Sequence, residues 1–462
     1  MKTMTLRNWF AIIVTLLCSA SALAYDFEVD GIYYNITSES EKTVGVCGEI
    51  NGYDLYGRFN IPETIVYKNV TYSVTSIEER AFYKNNRLSY IAFPHSIKTI
   101  GDEAFYECSN FYLTVLPEGL TNIGKSAFAA CKKITSIEIP KNVTNIGERA
   151  FHSCTNLTSV KLSCDITSIP SQAFASCRYL RQINIPSTVK NIGKGVFYEC
   201  MALASIELPD GITEIGDSAF YFTGLTTINM PNSITDIGSH AFYYCKLTSI
   251  DIPKSVKSIK NSTFASCFNL SSVILHEGLT DIGGRAFNYC RELESLKIPN
   301  SVTNIGEYAF AECSKLTEIE VPEKLEKIGP SAFWFCSKLT SIKIPANVTR
   351  IESETFYACT NLRQITCRAT EPPVCEKQAF EQVPRLNCKL IVPEESVEAY
   401  MAANEWRGFY TADGIEGLED ESIVDVYNLQ GVTVKKQVRM SDLQGTLPKG
   451  IYILNGKKIA VR

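Results

Sequence analysis

From about residue 76 onward, apolar and polar positions recur with one fixed period. Phe marks it: Phe82, Phe105, Phe128, Phe151, Phe174, Phe197, Phe220, Phe242, Phe264, Phe287, Phe310, Phe333, Phe356 and Phe380, fourteen copies spaced 23 residues apart with two intervals of 22 and a last one of 24. A short fixed period implies a stack of turns whose core extends along the array instead of closing on itself.

The segment from Ile305 to Pro322 shows the unit. Ile319 and Val321 alternate with Glu318 and Glu320, the signature of a strand of about three to five residues with one face buried. Pro322 follows, as Pro140, Pro186 and Pro345 do elsewhere, and a residue without an N–H ends the ladder. A second apolar pair, such as Val302 and Ile305, runs into Gly306, and Gly suits a tight or left-handed turn there. Ala309, Cys313 and Leu316 lie at i, i+4 and i+7 and predict a short helical or 3₁₀ segment with one inward face. The fold expected is an α/β repeat solenoid with about 23 residues per turn. Short parallel strands would stack roughly 4.8 Å apart, joined by short helical or 3₁₀ turns.

Leu157-Thr158-Ser159-Val160-Lys161-Leu162 has the LxxLxL form of leucine-rich repeats. The fuller pattern Ile-Gly-x-x-Ala-Phe-x-x-Cys-x-x-Leu-Thr-Ser-Ile-x-Ile-Pro resembles the BspA-like leucine-rich repeat of bacterial surface proteins over roughly residues 76 to 400. The resemblance implies a parallel sheet on a concave face and a role in adhesion or protein binding. Departures are local: Thr114 replaces a strand apolar residue, Ser163 and His276 replace the Pro, and Lys260 and Glu352 replace the Gly, which would weaken register at single turns.

The ends differ from the repeats. Residues 1–24 read as a secretory signal: Lys2 and Arg7 precede the apolar run Phe10 to Leu17, and Ala22-Leu23-Ala24 precedes a cut at Tyr25. The alternative is a lipoprotein acylated at Cys18, where Leu17 is bulkier than that signal prefers. Residues 25–75 carry no repeat and read as a β-rich N-terminal cap with strands at Gly31 to Ile36, Thr43 to Val46, Leu55 to Ile61 and Val70 to Val74. The solenoid with its C-terminal cap spans 76–412 and ends on a short helix from Ser396 to Trp406. An acidic linker, 413–421, leads to a small β tail at 422–462, with Asn455-Gly456 as a type I′ turn signal. That tail resembles the C-terminal half of a type IX secretion sorting domain, without the domain's first strands. The resemblance implies transport across an outer membrane.

Composition narrows the function. Forty-five Lys+Arg against fifty Asp+Glu give a net charge of -5, or -7 once Lys2 and Arg7 leave with the signal, so nothing here recruits nucleic acid. No run after the signal approaches the roughly 18 apolar residues that span a membrane. Of 17 cysteines, eleven sit three residues after the Phe, from Cys108 to Cys359. Stacked side chains point in parallel and do not offer the disulfide torsion, so this column reads as buried free thiol. A line of Cys also lacks the four converging ligands of a zinc site. Off the column, a pair among Cys367, Cys375 and Cys388 is the best disulfide candidate. His95, His152, His240 and His276 occupy different repeat positions and pair with no recurrent acid or nucleophile. No catalytic constellation, cofactor loop or metal motif emerges, and the expectation is a protein that is not an enzyme and has no cofactor.

Two surfaces remain for binding. Outward strand positions carry small hydroxyls and charges of both signs, with Glu138, Lys161, Glu207, Asp251, Lys297, Glu320 and Lys343 as the charged candidates. Beside the core Phe lie aromatics where other repeats place Ala, Ser, Glu or His; the candidates are Tyr221, Phe222, Tyr243, Tyr244, Tyr289, Trp334 and Phe335. The run from Tyr221 to Tyr244 is favoured because two repeats also shorten there. The sequence points to an exported protein at the cell surface, outer membrane-associated or secreted. Its partner would be a protein ligand such as a host extracellular matrix or surface protein. The alternatives are a glycan bound for nutrient capture and a structural spacer without a ligand.

Overall fold

The computed structural model describes residues 25–48, 57–113, 115–409, 423–428, 432–439, 447, 450–454 and 457–461. The signal, Cys18, Thr114, the linker and the Asn455-Gly456 turn lie outside them. Contacts divide the chain into two compact units, residues 1–203 and 204–462.

Within each unit two parallel ladders run from turn to turn. The first is the predicted strand ladder: Ser136–Ile139 pairs with Ser159–Leu162, and Ser341–Ile344 pairs with Gln364–Cys367. Pro then opens a turn in which the N–H three residues on bonds back to its carbonyl, as Leu325 does to Pro322. His276 serves equally well, accepting from Leu279, because only its carbonyl is used. The second ladder is the apolar pair before the Gly. Asp281–Ile282, Asn304–Ile305 and Lys327–Ile328 pair in parallel. At the departures Lys260 and Glu352 this ladder keeps its register, Ser258 with Asp281 and Arg350 with Val374.

The expected helical or 3₁₀ segment around the Phe is absent from the described repeats, and tandem turns replace it. Ala309 donates to Gly306, Ala311 to Tyr308 and Cys313 to Phe310, all i to i+3. The intervening N–H groups donate to the next turn instead: Tyr308 to Pro330, Phe310 to Ala332 and Glu312 to Trp334. In all fourteen copies the residues two before and two after the Phe have positive φ, near 50–60°. Spacing explains the outcome. Successive core Phe rings stack with centroids 5.1 to 6.3 Å apart, whereas packed helix axes need about 8–10 Å. A helix would also consume internally the N–H groups that tie one turn to the next.

The Gly four residues before the Phe opens a tight turn, as Gly306 does by accepting from Ala309, and takes this alternative with ordinary φ instead of the left-handed one. A Cβ on Gly306 would lie 2.5 Å from the N of Gly284 and 2.7 Å from the C of Gly283. Gly is there because adjacent turns touch backbone to backbone.

The core is the Phe stack with Cys, Leu and Ile around it, all nearly inaccessible. Every column Cys donates its S–H to the Phe carbonyl of the preceding turn, Cys336 to Phe310 at 3.1 Å and Cys359 to Phe333 at 3.3 Å. That carbonyl also accepts the N–H of its own turn, so both its lone pairs are used. Cys is the small apolar residue that brings a weak donor to this place. All described cysteines are free, Cys367, Cys375 and Cys388 included. The expected disulfide does not form because Cys367 and Cys375 belong to strands of different ladders, and the Cys367 sulfur receives the Tyr400 hydroxyl at 3.1 Å.

At the N-terminal side, β1 (Phe27–Val29), β2 (Ile32–Ser38) and β3 (Thr43–Cys47) are antiparallel neighbours. β4 (Gly57–Asn60) pairs in parallel with Leu88–Ala92, and β5 (Thr64–Tyr67) is antiparallel to β6 (Val70–Ile77). β6 lies between β3 and Thr99–Ile100, parallel to both, so both ladders of the array start upstream of the first Phe. At the other side, Val397–Ala402 is an α-helix. Trp406 and Phe409 set their ring edges against Phe380 at 5.2 and 5.1 Å, covering the last ring of the stack. The tail forms a four-stranded antiparallel sheet in the order Thr433–Arg439, Ile423–Asn428, Gly450–Leu454, Lys457–Val461. Among the described residues no helix is long and apolar enough to cross a membrane.

Candidate functional site

The outward strand charges are exposed, and several neutralise one another along the rungs. Glu138 meets Lys161 at 2.8 Å, and Lys297 meets Glu320 at 3.4 Å. Exposed pairs of this kind contribute about 0–1 kcal/mol and leave little net field. Lys343 stands opposite Thr366 on the next strand. Glu207 is exposed but lies in no strand, a correction to its expected placement. The amide of Asn229 bonds both the N–H and the C=O of Leu208, each at 2.9 Å, and so replaces a backbone rung there. Asp251 is joined by His276 at 2.7 Å, a pairing across 25 residues that the separate repeat positions of the histidines concealed.

The aromatic candidates form two clusters in the second unit. In the first, Tyr221 stacks on Tyr243 at 4.8 Å, and Phe222 meets Tyr244 edge-on at 4.7 Å. Phe268, which the sequence reading missed, bridges Tyr244 to Tyr289 at 5.3 and 6.5 Å. Its signal was legible: four residues past the Phe most repeats carry Ser, Thr, Lys or Arg. The Arg291 guanidinium lies over both Phe268 and Tyr289. Tyr244 is 43% exposed.

The second cluster joins Trp334 to Phe335 at 4.2 Å, and Tyr357 to both at 6.2 and 5.9 Å. It borders an open groove of about 630 Å³ that Tyr289, Tyr308, Arg285 and Glu354 also line. The structure thus gathers Tyr221, Phe222, Tyr243 and Tyr244 in one cluster and Trp334 and Phe335 in the other, with Tyr289 reaching both.

Phe222, Tyr244, Tyr289 and Phe335 all have φ between 55 and 60°. A left-handed backbone costs an L-residue roughly 1–2 kcal/mol, and bulky side chains rarely adopt it. Elsewhere the same place holds mostly Ser, Glu, Ala or Gln. The turn leaves Tyr244 exposed and the other three rings half-buried, at a site where smaller residues also satisfy the fold.

Residues 75–204, 190–299 and 280–398 match the BspA type leucine-rich repeat region. The chain belongs to the BspA-type leucine-rich repeat family. A BspA-type array of this kind is similar to a leucine-rich repeat protein from Bacteroides ovatus, at 31% identity over 70% of this chain and 96% of that one, with a TM-score of 0.55. A leucine-rich cell surface protein from Faecalibacterium prausnitzii is 23% identical over 81% of this chain and 96% of that one, with a TM-score of 0.47. The pneumococcal vaccine antigen PcpA is 18% identical over 81% and 95%, with a TM-score of 0.49. No curated protein matches the chain. Within each repeat of this chain the Phe, Cys, Leu and Gly columns build the stack, and the aromatic edge uses the positions between them.

Proposed function

We propose that this protein is exported and acts at the cell surface or after release as a non-catalytic attachment protein. Its partner is a protein ligand, in the first place a host extracellular matrix or surface protein. Residues 1–24 would direct export, the array would present the binding surface, and the tail at 422–462 would serve sorting. The observation that carries the reading is the edge at Phe222, Tyr244, Tyr289 and Phe335. Four large rings stand at a place that Ser, Glu, Ala or Gln fills in other copies with the same left-handed backbone, so the fold does not require them, and their presence supports use. Phe222 and Tyr244 on adjacent rungs, joined through Phe268 to Tyr289, form an amphipathic surface of the kind that dominates protein interfaces.

Binding of the purified mature protein to immobilised matrix proteins and to a glycan array tests this. The wild type is expected to bind at least one matrix protein, and a Tyr221, Tyr243, Tyr244→Ala variant to lose roughly tenfold or more in affinity. Binding to glycans alone, or to neither panel, contradicts the reading.

A further inference from the structure

The groove beside Trp334 exists because two columns are interrupted. One residue after the Phe, buried Ala311 stands between Asn288 and Trp334; two before it, buried Ser331 stands between Tyr308 and Glu354. Tyr289, Tyr308, Trp334, Phe335 and Tyr357 line the groove together with polar and charged side chains. The charges around it are unequal. Arg285 is paired with Glu307 at 3.1 Å and lies over Tyr308 at 5.0 Å, so its charge is already used. Glu354 accepts the Ser331 hydroxyl at 3.3 Å and forms no ion pair among the described residues.

Elsewhere along this edge the protein supplies cations to its own rings. Arg80 and Lys84 lie over Tyr83, Arg285 over Tyr308, and Arg291 over Tyr289 and Phe268. Among the described residues none lies over Trp334, Phe335 or Tyr357. Resting on the protein-attachment reading above, we propose that this groove receives an arginine side chain of the partner protein. Its guanidinium stacks on the Trp334–Tyr357 wall and is charge-paired to Glu354. A guanidinium fits because it is planar, weakly hydrated and able to satisfy a carboxylate while stacking. A groove of about 630 Å³ holds that side chain with its flanking backbone.

The probe is the peptide acetyl-Gly-Arg-Gly-amide against the same peptide with citrulline, which keeps the shape and removes the charge. Of the three tryptophans, Trp9 falls in the expected signal and Trp406 is buried, so a change in emission of the mature protein reports Trp334. The arginine peptide is expected to bind about fivefold or more tightly than the citrulline peptide. Glu354→Gln should reduce that preference toward the part left by stacking alone, with an unchanged melting curve. Gln378→Lys, which adds to the groove wall a second cation besides the Glu307-paired Arg285, should weaken the arginine peptide similarly. Equal binding of both peptides, no binding by the arginine peptide, a Trp334 response to cello-oligosaccharide instead, or burial of Trp334 by self-association overturns the proposal. Those outcomes leave the matrix-protein result standing, and failure there with a preserved arginine preference condemns only the attachment reading.

Discussion

The residues that decide most here are those on either side of the repeated Phe. Both flanking positions are left-handed in every copy, and neither column contains Val, Ile, Thr or Pro. That exclusion was legible in the sequence, because a β-branched side chain or a proline ring is the group such a backbone tolerates least. The i, i+4, i+7 spacing of Ala309, Cys313 and Leu316 concealed it, since inward positions of successive tight turns imitate a helical stripe. Tyr244→Gly should therefore be neutral or stabilising by up to about 1 kcal/mol, while Tyr244→Val should destabilise by about 1–2 kcal/mol. Urea unfolding midpoints check the pair. If both variants lose stability equally, the ring's contacts matter and the backbone strain does not.

The cysteine column makes a second prediction at this scale. Burial pushes the thiols of Cys108, Cys154 and Cys245 from about 9 up to about 12. Unfolded thiols lose their protons near pH 9 while the folded ones hold theirs, so the unfolded state binds fewer protons between these values. Stability is then fully present below pH 9 and is lost progressively as pH rises toward 12. The melting temperature should stay level across pH 7–8.5 and fall steeply above 9. A level curve to pH 11 would show that the column does not govern alkaline stability.

At the scale of elements, the turn is built by distance. Rungs about 5 Å apart leave no room for a helix, and a Cβ on Gly306 would meet the backbone of Gly283 and Gly284, whereas Lys260 and Glu352 are carried at the same place in turns that keep register. Gly306→Ala should force two backbones apart and destabilise by about 1–3 kcal/mol, read as a lower denaturation midpoint. Loss of less than a few tenths would mean that the neighbouring turn yields freely. The strand ladder, its Pro stop and the repeat register were legible because apolar alternation and period are local properties. The second ladder and the upstream start of both were not, because pairing of two-residue segments depends on what the adjacent turn offers. The strand-face charges were read as a binding surface. Glu138 with Lys161, and Lys297 with Glu320, instead spend part of their charge on each other. The Asp251–His276 pair was invisible for a similar reason, as one member sits where the repeat places Pro.

For the whole molecule, the repeats specify a BspA-type array, and under the proposed attachment role specificity would lie in what projects between the repeated columns. The account assigns attachment to the aromatic edge and not to the strand face. The direct test compares affinities of two variants for whichever matrix protein the wild type binds. One carries Phe222, Tyr244, Tyr289 and Phe335 changed to Ser. The other carries Glu138, Lys161, Asp251, Lys297 and Lys343 changed to Ser. The edge variant should lose roughly tenfold or more in affinity while still unfolding in one cooperative transition, and the strand-face variant should stay within about threefold. A strand-face variant that loses binding while the edge variant keeps it would contradict the account.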